Sequence, residues 1–181
     1  MKIILPTALF FLIFISCMKK EPMAYYNKAV YAGNMAISLS QLESRIERIQ
    51  DSLLPPPIDL ANRVDMQVQV SENYLSELNG FLGNEETDPM IYAAINYLQY
   101  DIETAKNQKT IDLLNEVDQV SLNVDLKTIM EKYSDHINSI FDQKEVLFET
   151  YDFEVSRYAK AHDIEEKFYG PDLQPINRTD K

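Results

Sequence analysis

Breakers of regular structure are what this chain has least of. It holds four glycines and eight prolines in 181 residues, and from Met90 to Tyr169 it has neither. A stretch of that length, rich in Leu, Ile, Glu, Lys and Ala, favours helix because nothing in it interrupts one. Tryptophan is absent, cysteine occurs once and histidine twice. One cysteine can form neither an intrachain disulfide nor a thiolate cluster, and two histidines leave few parts for site chemistry. No metal and no cofactor are expected. Basic residues are few as well: 17 Lys and Arg face 29 Asp and Glu, for a formal charge of −12. Such a surface repels phosphate, so electrostatically driven nucleic-acid binding is not expected. What the chain does have is apolar content. Hydrophobic residues make up 45%, far above a disordered acidic tail and enough for the core of one domain.

The longest apolar run opens the chain. Lys2 is the only charge before Ser16, and the run from Ile3 to Ile15 has 13 residues. As a helix it would reach roughly 20 Å at 1.5 Å per residue. A bilayer core is about 30 Å thick, so the run reads as the apolar part of a secretory leader. Phe14-Ile15-Ser16-Cys17 resembles a bacterial lipobox, in which a small residue precedes the cysteine that is lipidated and becomes the mature first residue. Ser16 supplies the small residue, while Phe14 stands where Leu is usual. Cys17 is therefore the expected lipidation site, and its acyl chains (palmitate among them) the expected membrane attachment. Each buried acyl CH₂ contributes ~0.8 kcal/mol, so two or three chains hold permanently. Met18 occupies the position where Asp resembles an inner-membrane retention signal, which favours the outer membrane. Lys19 and Lys20 replace the acidic run that resembles a surface-export signal, and the face of that membrane stays open. The expected division is leader 1–16, lipidated tether 17–24, helical body 25–169 and mobile tail 170–181.

Apolar spacing divides the body into four helical segments. The first places Tyr25, Ala32, Met35, Leu39, Leu42, Ile46, Ile49 and Leu53 at alternating steps of three and four, with Lys28 interrupting, and Pro55-Pro56-Pro57 stops it. The second opens after Asp59 as N-cap and carries Ala61, Val64, Val68, Leu75, Leu78 and Leu82, with Ser71 in an apolar slot. Gly80 and Gly83 lie where a left-handed C-cap is wanted. Asp88 and Pro89 suit the cap and first helical position of the third, which carries Ile91, Ile95, Leu98, Ile102 and Ala105, then Ile111, Leu114 and Val117. Residues 120–124 read as a turn. The fourth runs through Leu126, Met130, Tyr133, Ile137, Ile140, Leu147, Tyr151, Val155 and Tyr158 to Gly170-Pro171, interrupted by Lys144 and widened by Phe141 and Phe148. The fold class expected is all-α: an elongated antiparallel four-helix bundle, up-down-up-down, with shallow crossings.

Motifs with mechanical content are missing. Tyr133 and Ala159 stand three residues before His136 and His162, where a di-metal bundle site needs Glu. His162 and Glu166 share a spacing that suits a surface ion pair. Ser134 and His136 are two apart and diverge on a helix. No nucleophile elbow, phosphate loop or dinucleotide fingerprint occurs, and the acidic runs at 84–88 and 163–166 lack the ligand order of a calcium loop. The tyrosines, Tyr25, Tyr26, Tyr31, Tyr92, Tyr97 and Tyr100 among them, suit a core margin with hydroxyls in water better than a sticky partner surface. Asp51-Ser52-Leu53 resembles a glycosylation triplet of some envelope proteins of Bacteroidota.

Tyr26-Asn27-Lys28 and Tyr158-Ala159-Lys160-Ala161-His162-Asp163-Ile164 resemble the opening and closing stretches of an uncharacterised family of helical envelope lipoproteins found in spirochaetes and Bacteroidota, with Ala161 and Asp163 departing from the pattern. The resemblance implies an envelope location and a helical body, and it carries over no activity and no binding residues. The expected function is a lipid-anchored, non-enzymatic interaction or structural module whose partners are the membrane and an envelope protein. The alternative is a carrier that holds an apolar small molecule inside the bundle, lined by Phe141, Leu147, Phe148 and Tyr151.

Overall fold

The computed structural model describes residues 21–37, 39–51, 56–120 and 126–164, and the backbone of 168–169 and 175–176. The fold is all-α. Among the described residues stand six helices: α1 (Pro22–Met35), α2 (Ser40–Gln50), α3 (Leu60–Asn79), α4 (Asp88–Lys106), α5 (Gln108–Asp118) and α6 (Leu126–Ala161). Six appear where four segments were expected because the first and third are each broken once.

Both breaks are made without glycine or proline. At the first, Ala36 closes α1, and the freed carbonyls find donors on other helices: Met35 accepts from Ser71 Oγ at 3.3 Å and Ala36 from Lys144 Nζ at 3.0 Å. At the second, Asn107 takes an extended ψ of 133° and its side chain accepts from Lys109 N at 2.9 Å, an N-cap for α5.

α1 runs antiparallel to α3 and α6, and α4–α5 antiparallel to α6, as the pairs they form show. Going down α1, Pro22, Ala29 and Ala36 meet Tyr158, Tyr151 and Lys144 of α6. Lys28 and Met35 of the same helix meet Glu77 and Ser71 of α3. On α4, Tyr97 and Asp101 meet Tyr151 and Lys144, and α5 continues that line with Thr110 on His136 and Glu116 on Lys132. The helix at the centre is α4, which touches α1, α3, α5 and α6. It is buried on most of its circumference, with Tyr92, Asn96, Gln99, Glu103 and Lys106 as an exposed stripe, and Ala93, Ala94 and Ala105 supply the small faces that let its neighbours approach.

Several boundaries differ from the sequence reading. Pro22 starts α1, so the last three residues of the expected tether are helical. The buried stripe of α1 is Tyr26, Ala29, Ala32 and Met35: Ala32 and Met35 are buried as expected, while Tyr26 and Ala29 stand one residue on from the expected Tyr25 and Lys28, which are half-buried. Asp59 stands at the start of α3 in a left-handed conformation (φ 55°) and its side chain makes no cap. Thr87, not Asp88, is the N-cap position of α4, and Asp88 Oδ1 instead accepts from Gly83 N and Asn84 N, both at 3.0 Å. Of the two glycines, Gly83 takes a positive φ of 106° and Gly80 a right-handed one. The last helix ends at Ala161 rather than near Gly170. There Asp163 adopts φ 50° and Ile164 N donates to Ala159 O at 2.9 Å, a Schellman-type stop that an aspartate makes in place of glycine. Beyond it, Phe168–Tyr169 pairs antiparallel with Pro175–Ile176, so part of the expected tail has a partner. The turn at 121–124 and the rest of the tail lie outside the described residues.

Candidate functional site

Cys17, the expected lipidation site, lies outside the described residues, as do Ser52 and Leu53 of the glycosylation-like triplet and Glu166. The aromatic residues expected around an internal cavity form a seam instead. Tyr151 is buried and stacks on Tyr97 at 5.4 Å, while Phe148 meets Tyr97 at 5.8 Å from a largely exposed position. Phe141 is also exposed and Leu147 half-buried. The widened stripe of α6 thus overhangs the edge of the core.

The two histidines sit apart. Thr110 Oγ1 is 3.0 Å from His136 Nε2, and burial, then the charge of Lys109, holds the imidazole pKa below its ordinary value. Ser134 Oγ donates to Glu131 O at 3.1 Å and takes no part with His136. His162 rests on the Tyr158 ring, centroids 4.3 Å apart. Its Nε2 lies 3.1 Å from Glu86 Oε1, near enough for ion pairing and out of line for a hydrogen bond.

Tyrosine hydroxyls do something the sequence reading missed. Tyr74 donates to Lys28 O at 2.9 Å, Tyr151 to Ala29 O at 3.2 Å, Tyr158 to Pro22 O at 3.4 Å and Tyr100 to Ile140 O at 3.3 Å. They face backbone carbonyls of neighbouring helices rather than water. Burial pushes the phenol of Tyr97 up to about 12 and those of Tyr74, Tyr151 and Tyr158 upward too, so all stay protonated donors.

Charges are buried at two places. Lys144 Nζ donates to Asp101 Oδ1 at 2.8 Å, and Asp101 is fully buried on α4. Arg45 of α2 lies 3.5 Å from the Asp118 carboxylate, with both side chains almost wholly enclosed. Lys144 was visible in the sequence as an interruption of a stripe. Arg45 had the same signal, standing three after Leu42 and four before Ile49, and was overlooked.

Among the described residues, one surface pocket of about 800 Å³ lies around Tyr25, Glu86, Tyr158 and His162, and another of about 410 Å³ around Val68 and Lys106. Between α1 and α3 runs a groove of about 700 Å³ whose lining includes Tyr31, Met35, Val70, Tyr74 and Phe81. Lys28 crosses it, pairing with Glu77 at 2.8 Å while its ammonium lies 4.9 Å from the Tyr74 ring and 5.5 Å from that of Phe81. At the opposite end of α3, the α2–α3 corner holds a smaller pocket of about 300 Å³ lined by arginines and serines. In comparisons with known proteins, no protein-family model, no curated protein and no solved structure matches this chain.

Proposed function

We propose that this protein is a lipid-anchored module of the bacterial cell envelope, attached through Cys17, that offers its helical body to an envelope protein as a non-enzymatic contact or structural element. The observation that carries the reading is the junction in the sequence. Cys17 follows the apolar run and Ser16, and α1 opens only five residues later at Pro22. Five extended residues reach at most about 18 Å, so the Pro22 end of the body stands close to the bilayer. No helix among the described residues is long and apolar enough to cross a membrane; the attachment argued here is through the lipid. Met18 after the cysteine favours the outer membrane. The family of helical envelope lipoproteins is supported by the residues at 26–28 and 158–164.

The finer architecture belongs to the same proposal. It is an elongated four-segment antiparallel bundle, up-down-up-down, in which α1–α2 and α4–α5 are two broken segments. The pairings of Pro22 with Tyr158, Lys28 with Glu77 and Lys106 with Glu72 support it. The non-enzymatic reading is supported by how the inner polar groups are engaged. Arg45, Asp101, Asp118, His136 and Lys144 each tie one helix to another. A second reading, a carrier of an apolar small molecule, is favoured by the aromatic groove between α1 and α3 rather than by the interior near Phe141 and Phe148.

Replacing the anchor tests the first reading. Cys17→Ala is expected to move the protein from the membrane fraction to the soluble one, and mass spectrometry of the wild type to find acyl chains on Cys17. Retention of the variant in membranes, or an unmodified thiol in the wild type, overturns it.

A further inference from the structure

Five arginines occur in this acidic chain, and three of them, Arg45, Arg48 and Arg63, line the pocket at the α2–α3 corner together with Ser40, Gln41 and Ser44. Among the described residues its lining holds no carboxylate. Gln41, Ser44, Arg45 and Arg48 share one face of α2 by their steps of three and four, and Arg63 comes from the first turn of α3. Arg63 Nε donates to Ile58 O at 3.2 Å, which folds its side chain back over the connection. Arg48 and Arg63 are exposed, and the ion pairs among the described residues involve neither.

Arg45 is the second observation. Its side chain is 2% exposed. One Nη donates to Pro56 O and the other to Asp118 O, each at 3.0 Å. Its Nε is buried with no acceptor among the described residues. A guanidinium N–H left so is uncommon and costly. Two further arginines line the same pocket, with no carboxylate among its described lining residues, in a molecule whose net charge would supply carboxylates readily. Planar guanidinium forks fit the oxygens of a tetrahedral anion, and serine hydroxyls add donors.

We infer that this pocket binds a compact oxyanion of the phosphate class, as free phosphate, a small phosphomonoester or a phospholipid headgroup. The overall charge of −12 does not forbid this. A nucleic acid meets the field of the whole surface, whereas one phosphate in the pocket meets chiefly the exposed Arg48 and Arg63 on its lining, Arg45 already facing Asp118. The inference stands apart from the envelope reading and survives if Cys17 carries no lipid.

Calorimetric titration of the full chain in chloride buffer at fixed ionic strength tests it, with sodium phosphate, glycerol 3-phosphate and a soluble short-chain phosphatidylglycerol as separate titrants. Saturable one-site binding is expected. Tightest binding of a free phosphate or the monoester identifies a soluble source, and tightest binding of the phosphatidylglycerol identifies a headgroup. The variant Arg48→Gln/Arg63→Gln changes only exposed side chains, so its helical circular dichroism should match wild type while affinity falls about tenfold or more. Arg45 is left in place because it also faces Asp118. Absence of saturable binding by all three titrants, or equal affinity in the double variant, overturns the site.

Discussion

Asp118 closes α5, yet its carboxylate works at the start of α3, where it accepts from the N–H groups of Ile58 at 3.0 Å, Asp59 at 2.9 Å and Leu60 at 3.4 Å. These N–H groups lead into the first turn of α3, and Asp59 at the N-cap position, left-handed in its backbone, makes no side-chain cap of its own. One buried carboxylate therefore caps a helix 58 residues earlier in sequence while also facing Arg45. Removing either partner leaves a different deficit. Asp118→Ala leaves three N–H groups without their acceptor and a buried guanidinium without its counter-ion, and should cost about 3–5 kcal/mol, the range for breaking a buried pair. Arg45→Met leaves the carboxylate with its three donors and should cost less. Asp118→Asn keeps an acceptor oxygen and should fall between. Urea unfolding of the three variants reads the order directly, and a larger loss for Arg45→Met than for Asp118→Ala would show that the ion pair, not the cap, dominates.

Among the elements, α1 and α6 approach at Gly33 more closely than two ordinary helices can. A Cβ built on Gly33 would collide with the Tyr151 hydroxyl and lie 2.6 Å from its ring carbon Cζ. The missing side chain is what lets that hydroxyl reach Ala29 O, one helical turn earlier. Alanine in a helix interior ordinarily gains up to about 1 kcal/mol over glycine, but here overpacking should reverse the sign, with a net loss of about 1–3 kcal/mol. Tyr151→Phe should not rescue Gly33→Ala, because the ring carbons remain in the way. Tyr151→Leu in the same background should recover part of the loss, and thermal melts of the single and double variants check this. How legible the elements were follows from the same physics. Periodicity located the helical segments because a core face repeats along each, and it placed Ile91, Ile95, Leu98, Ile102 and Ala105, all of them buried. The breaks after Met35 and Lys106 escaped because their freed carbonyls are satisfied by Ser71 and Lys144 from other helices, and by an asparagine cap in a run without Gly or Pro. Ser71 and Lys144 stood out in the sequence as misfits, and both tie helices together, Ser71 buried and Lys144 half-buried. The arginine pocket left no linear trace, since Arg48 reads as a solvated charge until Arg63 is folded beside it.

At the scale of the whole molecule, the chain's formal charge of −12 opposes folding, because compaction brings like charges together. Salt acts on that repulsion and on the favourable pairs in opposite directions, and burial decides which matters. Lys144–Asp101 and Arg45–Asp118 are enclosed and little screened. Lys127–Glu131, with both side chains more than two-thirds exposed, is worth little to begin with. Screening should therefore relieve repulsion more than it weakens attraction. Raising sodium chloride from a few millimolar to about 0.15 M should add on the order of 1 kcal/mol, or roughly 3 °C in Tm for a domain of this size. Melts followed by circular dichroism at constant pH measure this, and a falling Tm would mean that surface pairs carry more of the stability than their exposure allows. Replacing chloride by phosphate at equal ionic strength separates the general effect from the local one. The field of the whole body responds to both salts alike, whereas the three-arginine pocket adds a further rise in phosphate that Arg48→Gln/Arg63→Gln should abolish.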